Sequence, residues 1–304
     1  MKVYSIVVTY NGMQCNWIKK CLDSLIYSSI PTNIVLVDNG SVDETVAFVR
    51  QNYPDVNLTI SEKNQGFGRA NNVGIREAID NGADYVFLLN QDAWVEENTL
   101  ELLVRAAADN PEYGILSPVH LNGSSTALDY DFSRYIIPEK CPNIISDVYL
   151  NQIDNKIYGI DFVNAAAWLI SRKCIETVGG FNSLFYHYGE DINYLHRAKY
   201  HGYKVGLMPA ATICHDRESR QKSIYKSDFY ETTKRWALIY SCNPSSRGYE
   251  VYQYFILRWA DSIAHPSIFR MLMLFKALAY LIFNTRSFRG NRELSKSTGT
   301  TFLK

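Results

Sequence analysis

Residues 84–94, DYVFLLNQDAW, constrain the fold of this chain more than any other stretch. Tyr85 to Leu89 are apolar without polar alternation and stop abruptly at Asn90-Gln91-Asp92. A short run of this kind is a strand buried on both faces, the habit of parallel sheets covered by helices. Open α/β sheets bind ligands at the carboxyl ends of such strands, where Asn90 and Asp92 stand. The period-two backbone sends those two side chains to one side and Gln91 to the other. Oxygen donors so placed suit a hard divalent cation holding a phosphate. They also suit a turn that caps the next helix.

The preceding residues repeat the pattern. Val3–Thr9, Ile34–Val37 and Leu58–Ile60 read as strands, ending in turn signals such as Tyr10-Asn11-Gly12 and Asp38-Asn39-Gly40. Helices are predicted between them, one introduced by a Ser41/Glu44 capping box and one closed by a left-handed cap at Asn81-Gly82. Ile115 and Leu116 continue the sheet. The first 118 residues thus predict an α/β fold with a doubly wound, mostly parallel (mixed) sheet flanked by helices. Residues 119–158 lose periodicity and read as a long functional loop. Order returns at Ile160–Ile170, with a helix near Arg172–Val178 and another opened by Glu190-Asp191. Val205–Met208 and Thr212–Cys214 read as two short strands before His215. From about Phe229 the chain turns helical, aromatic and basic. The expected division is a catalytic domain at 1–225 and a helical C-terminal extension at 226–304.

Lys plus Arg and Asp plus Glu balance at 31 each, so no global field points to nucleic acid. Six scattered cysteines without a CxxC pair suit a reducing cytosol. The apolar amino-terminal stretch is too short for a signal peptide. The apolar run Met271–Phe283, broken by Lys276, reads as too short to span a bilayer. A cytoplasmic protein is expected, soluble or peripheral on the inner face of the plasma membrane. The Gly66-Phe67-Gly68 element is a poor dinucleotide fingerprint. It does not follow the first strand, and Asn71 stands where a third glycine belongs.

Together VVTYNG, VLVDNGSVDET, NQGFGRANNVGI, FLLNQDAWV, NAAAWLISR, GGFNSLFYHYGEDINYLHRAKYHGYKV and Cys214-His215 resemble the nucleotide-sugar glycosyltransferases of family 2, which have the GT-A fold. The rhamnosyltransferase-like branch is closest, and the likeness runs from about residue 3 to 220. It implies that Thr9, Tyr10 and Asp38 frame the nucleobase, and that Asn64, Gly66, Gly68 and Asn71 lie along the nucleotide. Asn90-Gln91-Asp92 matches the D-x-D site with Asn in place of the first acid, a departure that bears on how strongly metal is held. Asp92 and His215 would hold Mg²⁺ or Mn²⁺ on the diphosphate. In the acidic pair Glu190-Asp191, Asp191 would be the general base. Without the resemblance, Glu190-Asp191 reads as charge complementing a helix dipole, and His215 and Trp168 as structural.

The implied reaction is an inverting single displacement. A sugar leaves a dTDP- or UDP-activated donor, rhamnose being one candidate, for a hydroxyl of a glycan or lipid-linked acceptor in cell-surface polysaccharide synthesis. A nucleotidyltransferase and a non-catalytic nucleotide-sugar-binding protein are the competing classes. In the extension, Tyr225–Arg235 carries Lys226, Lys234 and Arg235, and the Tyr230/Arg235 spacing resembles an acceptor-side motif of the same family. The basic, aromatic helices over 229–290 suit peripheral membrane contact, a homodimer, or packing on the catalytic domain. The tail after Arg286 reads as mobile.

Overall fold

Burial on both faces of the central strand organises the molecule. The computed structural model describes residues 1–153, 156–220 and 228–303, so Tyr225 and Lys226 lie outside the described residues. In β4 (Tyr85–Asn90), Val86 and Leu88 join one hydrophobic cluster while Phe87 and Leu89 join the other. Four strands, β1 (Val3–Thr9), β2 (Asn33–Asp38), β3 (Asn57–Ile60) and β4, run parallel in the order β3-β2-β1-β4. Helices α1 (Trp17–Ile26), α2 (Thr45–Asn52) and α3 (Phe67–Asp80) connect them. Thr9 pairs with Asp38 and Val8 with Asn90, so the carboxyl ends of three strands finish at one level.

Beyond β4 the sheet becomes mixed. After β5 (Ala93–Val95) and α4 (Thr99–Asp109) comes β6 (Tyr113–Asn122), then α5 (Tyr130–Ser133), α6 (Ile144–Tyr149), β7 (Tyr158–Gly159) and β8 (Ala167–Ser171). Next come α7 (Arg172–Val178), α8 (Glu190–Tyr200) and β9 (Lys204–His215). The order continues β4-β8-β6-β9-β5, with β8 antiparallel to both neighbours and β9 parallel to β6. The β5–β9 pair sets Ala93 opposite His215 and so draws Asp92 to the histidine. Three further helices, α9 (Phe229–Cys242), α10 (Glu250–Ala264) and α11 (Ile268–Lys296), share a third apolar cluster, which reaches the sheet part through Phe185.

Several local expectations are corrected. The strands expected at 205–208 and 212–214 are one strand, because the register step between Pro118 and Val119 of β6 accommodates residues 209–211 as a bulge. Strand β6 runs to Asn122, into the stretch expected to be irregular, and α5 and α6 order part of the remainder. The Ser41/Glu44 capping box does not form. Ser41 Oγ accepts from Asn11 N at 2.9 Å, and helix α2 starts only at Thr45, whose amide donates to Asp43 Oδ1 at 3.0 Å. The apolar run from Met271 lies inside the 29-residue α11, which is long and apolar enough to cross a membrane by length and composition. The stretch after Arg286, expected to be mobile, is helical to Lys296, and residues 299–303 beyond it dock on α7. There Gly180 N donates to Thr301 O at 2.8 Å, Gly299 N donates to Thr177 O at 3.0 Å, and Leu303 is buried.

Candidate active site

The level strand ends open into two adjoining cavities. The first, about 590 Å³, is lined by Tyr10, Asn64, Gly66, Asn90, Gln91 and Asp92 among others. Strand geometry stops at Asn90, and the turn at 91–92 brings Gln91 to the same cavity as its neighbours, against the alternation expected. Gln91 Oε1 accepts from Thr9 Oγ1 at 2.6 Å and from Tyr10 N at 2.9 Å, tying β4 to the first loop. Thr9 is buried behind this contact. Asp38, also buried, accepts from Gly40 N and Ser41 N through Oδ2 and leaves Oδ1 without a hydrogen bond. Asn39 bridges to Asn64 Oδ1 at 3.1 Å and accepts from Gln65 N at 2.8 Å, holding the loop before α3.

Gly66 is placed here by necessity. Its φ is +86°, and a Cβ on it would stand 2.0 Å from Tyr186 O. Gly68 and Asn71 line neither cavity. Gly68 lies against Phe181, and Asn71 Nδ2 donates back to Phe67 O at 3.0 Å within α3.

Asp92 is buried, and Arg220 grips both its carboxylate oxygens. His215, fully buried, sets Nε2 3.5 Å from Asp92 Oδ1 and accepts from Arg220 at 2.8 Å. Burial would raise the Asp92 carboxyl, but the adjoining His215 and Arg220 hold it well below its usual range. Burial lowers His215, with Asp92 opposing and Arg220 and Arg217 adding to the shift. An imidazole kept neutral offers a lone pair to a metal. No cluster of three or more His, Cys, Asp or Glu able to hold an ion occurs among the described residues. The donor set nevertheless fits an ion that takes one carboxylate from the protein and the rest from phosphates and water, as Mg²⁺ does. The fit requires Arg220 to leave both Asp92 and His215. Sequence reasoning missed Arg220 and Arg217; the latter bridges Asp129 and Asp131 at 2.9 Å each. The only hint was two arginines within five residues of His215.

The second cavity, about 380 Å³, shares Phe67, Asn90, His187, Tyr188 and Arg220 with the first. Glu190, Asp191 and Arg235 line it. The turn entering α8 is bent, with φ +66° at Tyr188 and +93° at Gly189, and it presents both carboxylates at the helix start. Glu190 is buried, with Oε2 lacking any partner, and burial together with the Asp191 charge pushes its carboxyl up to about 8. Burial also raises Asp191, against the amides of the helix start and the charges of Arg217 and Arg235. Arg235 lies over the Tyr188 ring at 5.3 Å. Trp168 is fully buried against Phe181 and Tyr194, in the core rather than the cavities.

Comparison with known proteins bears on this arrangement. The model of glycosyl transferase family 2 matches residues 5–179, and that of glycosyl transferase family group 2 matches 162–289. The N-acetylglucosaminyl-diphospho-decaprenol L-rhamnosyltransferase of Mycobacterium tuberculosis is 25% identical over 213 residues, covering 62% of this chain and 67% of that protein. The dTDP-rhamnosyl transferase RfbF of Shigella flexneri is 25% identical over 224 residues, 70% of this chain and 68% of that protein. Among solved structures, the mannosyltransferase PcManGT of Pyrobaculum calidifontis, in complex with GDP-Man and Mn²⁺, superposes with a TM-score of 0.55 at 18% identity. That match covers 96% of this chain and 84% of the other, and it establishes the likeness of fold, GT-A. With a family model spanning more than half its length, the chain belongs to glycosyl transferase family 2 and is a glycosyltransferase.

Proposed function

We propose that the chain transfers a sugar, with inversion, from a dTDP- or UDP-activated donor to a hydroxyl of a glycan or lipid-linked acceptor in cell-surface polysaccharide synthesis. The two rhamnosyltransferase relatives make rhamnose the first sugar to test. One observation carries the reading: a cavity rimmed by Asn90-Gln91-Asp92 adjoins a second one holding Asp191, with Asn90 and Arg220 common to both. The donor diphosphate lies at Asp92, and the acceptor enters beside Asp191.

Two carboxylates in different surroundings divide the work. Glu190, without a partner for Oε2, keeps a proton near neutrality. Asp191, half-buried and near the Arg217 and Arg235 charges, is the anion that takes the acceptor's proton. Mg²⁺ or Mn²⁺ held by Asp92 and His215 would supply positive charge to the departing diphosphate. Arg220, released from Asp92, is a further cation within reach of the same phosphates. Thr9 and Gln91 fix the first loop, where Tyr10 flanks the nucleobase. Asp38 and Asn39 set the loop bearing Asn64. Residues 1–225 form the catalytic part and 226–304 an extension that packs on it and meets the cytoplasmic membrane surface peripherally.

The test is a panel of nucleotide sugars, dTDP-rhamnose and UDP-sugars included, offered with disaccharide and lipid-linked acceptors. Nucleoside diphosphate release with an inverted anomeric centre in the product is expected. A retained centre, or no release with any donor, overturns the reading.

A further inference from the structure

We propose that the helical extension carries a second anion site, separate from the donor cavity, which takes the phosphate headgroup of an anionic lipid. It lies where the turn after α9 meets the C-terminal half of α11. A cavity of about 510 Å³ there is lined by Arg247, Arg289 and Arg292, and no acidic side chain lines it. Three guanidinium groups around one concavity repel one another and focus a positive potential into it.

Glu250, the acid in the adjoining turn, does not neutralise them. Both carboxylate oxygens of Glu250 are taken up at the start of α10, accepting from Arg247 N at 3.1 Å, Gly248 N at 2.9 Å and Ser246 Oγ at 2.7 Å. Arg292 packs against that turn, its Nη1 3.4 Å from where a Cβ on Gly248 would stand. Its Nε is buried without a hydrogen bond, and Glu293 Oε1 lies 3.8 Å away. Arg247 and Arg289 are exposed and pair with no carboxylate among the described residues. A planar fork with unmet donors, beside two unpaired arginines, matches the oxygens of a phosphate.

The surroundings favour a phosphate carried on a lipid. Tyr249 and Tyr252 rim the cavity, and Ile256 and Ile263 continue the same face of α10 at spacings of three and four or their sum. All four are exposed, from 48% to 68%. Trp259 of that helix meets Phe275 of α11 at 4.6 Å between ring centres. A basic pocket at one end of an exposed apolar helix face is the footprint of an amphiphile, with head in the arginines and chains along α10.

The inference rests on the reading of the extension as membrane-facing, and the experiment separates the two. Full-length protein and the Arg247→Gln/Arg289→Gln double variant are floated with vesicles of phosphatidylcholine alone or mixed with phosphatidylglycerol. Both substituted side chains are exposed and line neither cavity at the strand ends, so unchanged circular dichroism and donor binding verify the fold. Binding to the mixed vesicles is expected, weakened roughly 30-fold in the variant, at about 1 kcal/mol for each arginine removed. Mixed-vesicle binding that ignores the double substitution overturns this site and leaves the membrane reading standing. Absence of binding to either vesicle overturns both. A rise in melting temperature with pyrophosphate that depends on the two arginines, without vesicle binding, overturns the lipid assignment in favour of a soluble phosphate.

Discussion

Asp191 and Glu190 differ by one position and by much of their chemistry. Asp191→Asn keeps the shape and removes the proposed base, so transfer should fall roughly 10²–10⁴-fold while donor binding, measured by calorimetry, stays near wild type. Glu190 should reveal itself in stability. Its folded carboxyl is raised from 4.5 to about 8, so the folded state holds its proton more tightly than the unfolded chain. That contribution is complete below pH 4.5 and is lost as pH rises through 8. Thermal melts of wild type should therefore decline between pH 5 and 8.5 more steeply than those of Glu190→Gln, and parallel curves would contradict the assignment. At the other cavity, Asp92→Ala should weaken nucleoside diphosphate binding mainly when divalent metal is present; an equal loss in chelator would make Asp92 only the seat of Arg220. The strand-end acids were legible because an apolar run halting at a carboxylate is a local signal. Arg220 was not, since its partner is 128 residues away and they meet only through the β5–β9 register.

At the scale of elements, the loop before α3 and the turn before α8 touch through one glycine. Gly66→Ala must push Tyr186 O away and hold a left-handed φ, costing at least about 1–3 kcal/mol, and it should impair donor binding even where the protein still folds. Helices α7 and α8 are joined by a buried cation without a carboxylate. Arg197 donates to Val178 O at 2.7 Å and to Gly180 O, and its guanidinium lies 4.7 Å from the Phe302 ring centre. Carbonyls at the end of α7 replace a counter-ion. Arg197→Met leaves them unpaired, and chemical denaturation should report a loss of about 3 kcal/mol. Periodicity located α7 and α8 well, because their apolar faces repeat. It misjudged α2, where the expected capping serine serves another loop, and α11, where the apolar run is only part of a longer helix.

Across the whole molecule, the sheet brings three strand ends level, and the helical extension completes the wall of the second cavity through Arg235, Trp236 and Ile239. The expected boundary near residue 225 is thus spanned by a cavity, an arrangement no compositional shift could reveal. The docking of residues 299–303 was equally hidden, because the holding contacts are mainly backbone amides and carbonyls, which every sequence possesses. That docking bears on the order in which the protein matures. A chain leaving the ribosome can pair β1 to β9 while the turn at Gly179-Gly180 and the aromatic core beside it still lack their last strap. Residues 299–303, some hundred positions later, supply it. The turn that leads toward the helix bearing Glu190 and Asp191 would then gain its last backbone clasp only after the helical extension has been made, long after β9.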